Sequence, residues 1–143
     1  MEELAQMSYA LALVLSAIGS AFGTVVAGMA SVGAWKKCFL NNKPAPFLLI
    51  AFVGAPLSQT IYGMILMNQI IAAANTLAAA KFGAGLLGGI AIGCSAFFQG
   101  KAGANAADAL AETGKGFGNY IMVVGIIETV ALFVMVFLLG TLK

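Results

Sequence analysis

Apolar residues in this chain fall into four long runs separated by short polar breaks. The first extends from about Tyr9 to Ala34 and the second from about Pro46 to Ala74. The third starts near Phe82 and continues past Gly100, and the fourth extends from about Phe117 to Leu142. Each is long enough to cross a bilayer as a helix, which takes about 20 apolar residues. Lys36, Lys37, Asn41, Asn42, Lys43 and Pro44 break the first pair of runs. Asn75, Thr76 and Lys81 mark a turn, and Asp108, Glu112, Gly114 and Lys115 divide the third run from the fourth. The runs are too long, and alternate too little, for the strands of a membrane barrel. The pattern predicts an all-α membrane protein with four transmembrane helices.

Composition narrows the class. The 143 residues include 7 Lys and Arg together, 5 Asp and Glu together and no His, and 62% are hydrophobic. Mean hydropathy is +1.02. A soluble domain needs far more charged surface, and a disordered chain is poor in apolar residues. A nucleic-acid binder clusters Lys and Arg, and this chain has no Arg. Its glycines lie inside apolar runs, where they cannot form a phosphate loop between a strand and a helix. No covalent chemistry and no organic cofactor is therefore expected. The acidic start, Met1-Glu2-Glu3, lacks the positive charge of a secretory signal, so the first span is read as retained. Lys36, Lys37 and Lys43 place the loop after the first span in the cytoplasm by the positive-inside tendency. The loop between the third and fourth spans then shares that side, and both termini face outward. Cys38, in the first loop, and Cys94, in the third span, form no metal motif and are expected to be bystanders.

The four spans read as two copies of a helical hairpin, residues 1–74 and 75–143. Ser20-Ala21-Phe22 in the first span matches Ser95-Ala96-Phe97 in the third, and Ala27-Gly28 matches Ala102-Gly103. Gln59-Thr60 in the second span aligns with Glu128-Thr129 in the fourth. Matches in the same hairpin order favour duplication. The odd spans are rich in glycine: Gly19, Gly23, Gly28 and Gly33 in the first, Gly85, Gly89 and Gly93 in the third. Small residues at every fourth position let helices approach closely. With bulkier residues on the even spans, this suits an inner circle of helices 1 and 3 and an outer circle of helices 2 and 4.

One acidic residue, Glu128, lies in mid-span. Placing a charge there costs at least ~2.5–3.5 kcal/mol on insertion scales, so such a residue usually has a function. The second span holds oxygen-bearing partners. Ala55, Ser58, Gln59 and Tyr62 stand at i, i+3, i+4 and i+7, on one helical face. Pro56 loosens the preceding turn, and a carbonyl freed that way can ligate a cation. Gln99 adds a further amide from the third span. A proton needs only the carboxylate and one acceptor, whereas a dehydrated monovalent cation needs several oxygens. The abundance of neutral oxygens points to sodium. Helix–helix hydrogen bonding is the plainer role for Ser58 and Gln59. Lys101 lies close to Gln99, and a contact between Lys101 and Asp108 would give it a partner.

At these residues the chain resembles the proteolipid (rotor ring, K or c) subunit of prokaryotic V-type ATPases, most nearly the sodium-translocating members. The resemblance rests on Pro56-x-Ser58-Gln59-x-x-Tyr62-Gly63, on Gln99-Gly100-Lys101 and on Glu128-Thr129. It implies that Glu128 is the ion-carrying carboxylate, that Ser58, Gln59, Gln99 and the Ala55 carbonyl ligate Na+, and that Tyr62 hydrogen-bonds the carboxylate. It also implies a homo-oligomeric ring among lipids in the inner (plasma) membrane. That ring would turn against a stator subunit bearing an arginine and be joined to a central stalk subunit. It would couple ion transport to ATP hydrolysis or synthesis elsewhere in the complex. Two rivals are the same rotor carrying H+ and a small dimeric proton- or cation-coupled transporter. Leu57 departs from the small residue common in the family at that position, and Ser58 keeps the hydroxyl where Thr is frequent.

Overall fold

The computed structural model describes residues 2–143, so Met1 of the acidic amino terminus lies outside the described residues. All four apolar runs are helical. Helix α1 spans Glu2–Leu40. The second span is two helices, α2 (Leu49–Gly54) and α3 (Ser58–Ala72), joined by a 3-10 turn at Ala55–Leu57. Helices α4 (Ala78–Thr113) and α5 (Phe117–Thr141) complete the chain. The described residues contain no strand, and four stretches are long and apolar enough to cross a membrane. The chain is an all-α, multi-pass membrane protein.

The odd helices are longer than the apolar runs predict. α1 has 39 residues and α4 has 36. At 1.5 Å per residue both exceed about 50 Å, against a hydrocarbon core of about 30 Å. Polar ends explain the excess, because a helix needs no apolar side chains once it leaves the bilayer. The extension of α1 takes in Lys36, Lys37 and Cys38, so Cys38 is buried in a helix rather than set in a loop. Asn41 closes α1 by donating from Nδ2 to the Lys37 carbonyl at 2.8 Å. Trp35 Nε1 donates to the Pro46 carbonyl at 2.7 Å and ties the first loop back to its helix. At the end of α4 Gly114 takes the left-handed conformation (φ 66°) and caps the helix, its N–H bonding Leu110.

α1 and α4 run parallel, with contacts that climb both helices in step. An added Cβ at Gly85 would strike the backbone of Ser8, one at Gly93 that of Leu15, and one at Gly100 that of Gly23. At Gly89 it would lie 2.7 Å from the Leu11 carbonyl oxygen. Higher still, Lys37 Nζ sits 3.5 Å from Asp108 and 3.2 Å from Glu112. From α1, Gly19 and Gly23 take part in this seam, while Gly28 has only ordinary contact with Val53 and Gly33 meets nothing within 4 Å. The small-residue stripe of the first span is thus shorter than its spacing predicts.

The even spans lie across this pair. α3 packs on α1 at Gly63, where a Cβ would come within 2.5 Å of the Ser16 Cβ. α5 lies along α4, and Leu138 of α5 meets Leu66 of α3 over Gly88. The carboxyl terminus is held against the turn between α3 and α4: Asn75 N donates to the Lys143 carbonyl and Lys143 N to Thr76 Oγ1. The amino-terminal part of α1, opposite the start of α4, lies at that same end.

Lys101 does not reach Asp108. Its ammonium lies 5.6 Å from the ring centre of Phe97 and 6.0 Å from that of Phe98. Asp108 stands two helical turns away and is taken by Lys37 from the neighbouring helix.

Gly93→Val is expected to lower stability by roughly 1–3 kcal/mol, because its side chain has only backbone to displace. Gly83→Ala, with nothing within 4 Å, should be neutral or stabilising. Thermal unfolding of the detergent-solubilised protein compares the two directly.

Candidate functional site

Pro56 sets the local geometry of the second span. Lacking an N–H, it cannot continue the α-helical ladder, and the chain tightens to a 3-10 turn over Ala55–Leu57. The Ala55 carbonyl is thereby engaged, not bare: it accepts the backbone N–H of Ser58 and lies 3.0 Å from Ser58 Oγ. The α-helix that restarts at Ser58 carries Gln59 and Tyr62 inward, toward α4 and α5.

These side chains and Gln99 form a hydrogen-bonded chain that ends on Glu128. Ser58 Oγ lies 3.1 Å from Gln59 Oε1, and its single proton serves either that oxygen or the Ala55 carbonyl. Gln59 Nε2 donates to Gln99 Oε1 at 2.7 Å. Gln99 Nε2 donates to Glu128 Oε2 at 3.2 Å and to the Val124 carbonyl at 3.1 Å. Tyr62 Oη donates to the other carboxylate oxygen, Oε1, at 2.7 Å. Gln59 and Gln99 are fully buried, which is tolerable only because their amides satisfy one another. Glu128 and Tyr62 are half-buried.

The structure therefore gathers Ser58, Gln59, Tyr62, Gln99 and Glu128 at one level, from three spans, with the Ala55 carbonyl at the edge. Thr129 is not among them, since its hydroxyl bonds back to the Ile126 carbonyl of its own helix. One positioning residue escaped the sequence pattern. Ser95 Oγ donates to the Ile127 carbonyl at 2.9 Å and pins α5 to α4 beside Glu128. Its spacing carried the signal, because Ser95 stands one turn before Gln99 on the same face.

Chemically, this is one carboxylate ringed by neutral oxygen and nitrogen groups. Among the described residues no cationic side chain pairs with Glu128, whose charge is met by Tyr62 and Gln99 alone. No group of three or more His, Cys, Asp or Glu side chains forms a metal cluster among those residues. Amide, hydroxyl and carbonyl oxygens around a single negative charge suit a hard monovalent cation or a proton better than a transition metal.

Comparison with known proteins bears on the second half of this architecture. Residues 82–139 match the family model of the ATP synthase C-subunit. That family consists of non-catalytic, ion-carrying rotor subunits of ATP synthases. The matched segment is most of α4 and α5, and it contains both Gln99 and Glu128. It covers less than half of the chain. No curated protein sequence gives a significant match.

Gln99→Leu is expected to cost about 1–3 kcal/mol, because it strips the buried Gln59 amide of its acceptor. The double variant Q59L/Q99L should recover part of that loss, since removing both partners leaves less orphaned. Unfolding of the single and double variants in detergent gives the coupling.

Proposed function

We propose that this chain is a rotor-ring subunit of a prokaryotic V-type rotary ATPase, carrying Na+ at Glu128. The observation that carries the reading is the single mid-span carboxylate, held by Tyr62 and Gln99 and linked through the Gln99 amide to Gln59 and Ser58. The similarity of α4 and α5 to the ATP synthase C-subunit supports it. That similarity falls on one hairpin, in keeping with a chain built of two, residues 1–74 and 75–143. Gln59 then occupies in the first hairpin the place of Glu128 in the second, leaving one carboxylate for four helices. α1 and α4, joined along their glycines, would form the inner circle of the ring, and the second and fourth spans the outer.

In this reading Glu128, Gln99, Gln59 and Ser58 supply side-chain oxygens to the ion, and the Ala55 carbonyl stands beside them. Turning the terminal amide of Gln99 exchanges its nitrogen for its oxygen at the carboxylate, which is what a cation in place of a hydrogen bond requires. The half-exposed Glu128 allows ions to enter and leave. A stator arginine displaces the ion, and rotation carries the next subunit into place. One charge crossing 100 mV supplies about 2.3 kcal/mol, enough in sum to couple transport to ATP turnover in other subunits. The ring sits in the plasma membrane. Lys36, Lys37 and Lys43 face the cytoplasm and the central stalk, and both termini face outward.

Labelling of Glu128 with a carbodiimide tests carboxylate and ion together. Labelling is expected to be lost in Glu128→Gln and to be suppressed by sodium in the unaltered protein. Absence of sodium protection at every pH would leave the same rotor carrying H+. Native mass of the solubilised assembly is expected to be that of a many-membered ring, and a dimer would overturn the rotor in favour of a small transporter.

A further inference from the structure

Buried serines on α1 find partners in the carbonyls of their own helix. Ser16 bonds the Ala12 carbonyl at 2.7 Å and Ser31 the Ala27 carbonyl at 2.8 Å. Two hydroxyls between them do not. Ser20 Oγ and Thr24 Oγ1 are both buried and make no hydrogen bond in the described structure. Ser20 is 2% exposed. An unmet buried hydroxyl costs about 1–3 kcal/mol, so two of them one turn apart call for an explanation.

Their place in the fold supplies one. α1 and α3 cross antiparallel, with Gly63 against Ser16 and Pro56 against Gly23. Continuing that register by one turn from the first contact places Ser20 of α1 at the level of Gln59, and the Gly23–Pro56 contact places Thr24 at the level of the 3-10 turn. Gln59 is itself fully buried, and its bond to Gln99 uses one of two Nε2 protons. Side chains at i and i+4 on a helix stand about 5–6 Å apart, a gap that one water spans with two bonds of about 2.8 Å. Buried water generally has two to four polar partners, and the two hydroxyls with the Gln59 amide make three.

We propose that Ser20 and Thr24 hold one buried water against the amide of Gln59. It accepts the second Nε2 proton and keeps that nitrogen facing Gln99, which in turn keeps the Gln99 amide aimed at Glu128. α1 gives no side chain to the carboxylate, yet through this water it sets the orientation of the chain of amides that ends there. Ser20 and Thr24 are thus positioning residues. The inference rests on the reading of Glu128 as an ion carrier, with Gln59 and Gln99 as its partners.

The test is carbodiimide labelling of Glu128 in the full-length assembled protein against sodium concentration, for Ser20→Ala, Thr24→Val, their combination and Thr24→Ser. Because sodium requires the Gln99 amide to turn from the orientation this water holds, each hydroxyl-removing variant is expected to lower the half-protecting sodium concentration by roughly three- to tenfold, the span of one lost hydrogen bond. Because both hydroxyls hold the same water, the double variant should do no more than the stronger single one. T24S should behave as the unaltered protein. Overturning results are shifts below about twofold in both single variants, effects that multiply in the double variant, or a T24S shift equal to that of T24V, which would mark a packing role. If the unaltered protein is not protected by sodium, the sodium reading fails by itself. The same variants are then read by labelling rate at fixed pH, where the same pattern across the four supports the water and its absence overturns it.

Discussion

Everything in this molecule is arranged around the backbone-to-backbone seam between α1 and α4. Without hydrophobic driving force inside a bilayer, helices associate by close packing and by polar bonds. Gly85, Gly89, Gly93 and Gly100 of α4 let the chain of α1 approach until no Cβ would fit. Two parallel helices locked so closely leave one continuous groove on each flank. α3 lies in one of those grooves and α5 packs beside it against α4, and their depth along the pair is set by what they meet there: Ser16 against Gly63, and Ser95 against the Ile127 carbonyl.

That placement explains why the amides meet. Gln99 lies on the face of α4 that the seam turns toward both α3 and α5. Only from there can it accept from Gln59 and donate to Glu128 at once. A carboxylate in a low-dielectric setting is costly unless its charge is met by hydrogen bonds. Tyr62 and Gln99 provide two without adding a cation of their own. A site met by neutral donors can exchange them for an ion and back again, whereas a fixed Lys or Arg would hold the carboxylate permanently. Lys101, the nearest basic side chain in sequence to Gln99, is directed instead over Phe97 and Phe98.

Much of this is legible in the letters. Four uninterrupted apolar runs leave the backbone no way to satisfy its polar groups in lipid except as helices. The cost of a mid-membrane charge marks Glu128 before any contact is known, and helical periodicity puts Ser58, Gln59 and Tyr62 on one face. Helix ends are less legible: hydropathy registers where the bilayer stops, while α1 and α4 continue as polar helices beyond it. A proline such as Pro56 is expected to leave a free carbonyl nearby, but the Ala55 carbonyl accepts the Ser58 N–H in a 3-10 turn, which spacing along the chain does not reveal. Lys101 and Asp108 have compatible charge and spacing on one helix, and Lys37 of another helix wins because parallel packing brings it alongside.

The sequence by itself determined that the chain crosses a membrane four times as helices and that one carboxylate within it demands partners. Both follow from terms that belong to single residues or single helices: the transfer free energy of side chains, and hydrogen bonding within the segment. Only the tertiary structure decided which partners those are. Whether Gln59 touches Gln99, whether Thr129 turns inward or back to Ile126, and whether Ser20 finds a carbonyl all depend on helix rotation and depth to within an ångström. Those are fixed between helices, by where a glycine allows contact and a side chain forbids it.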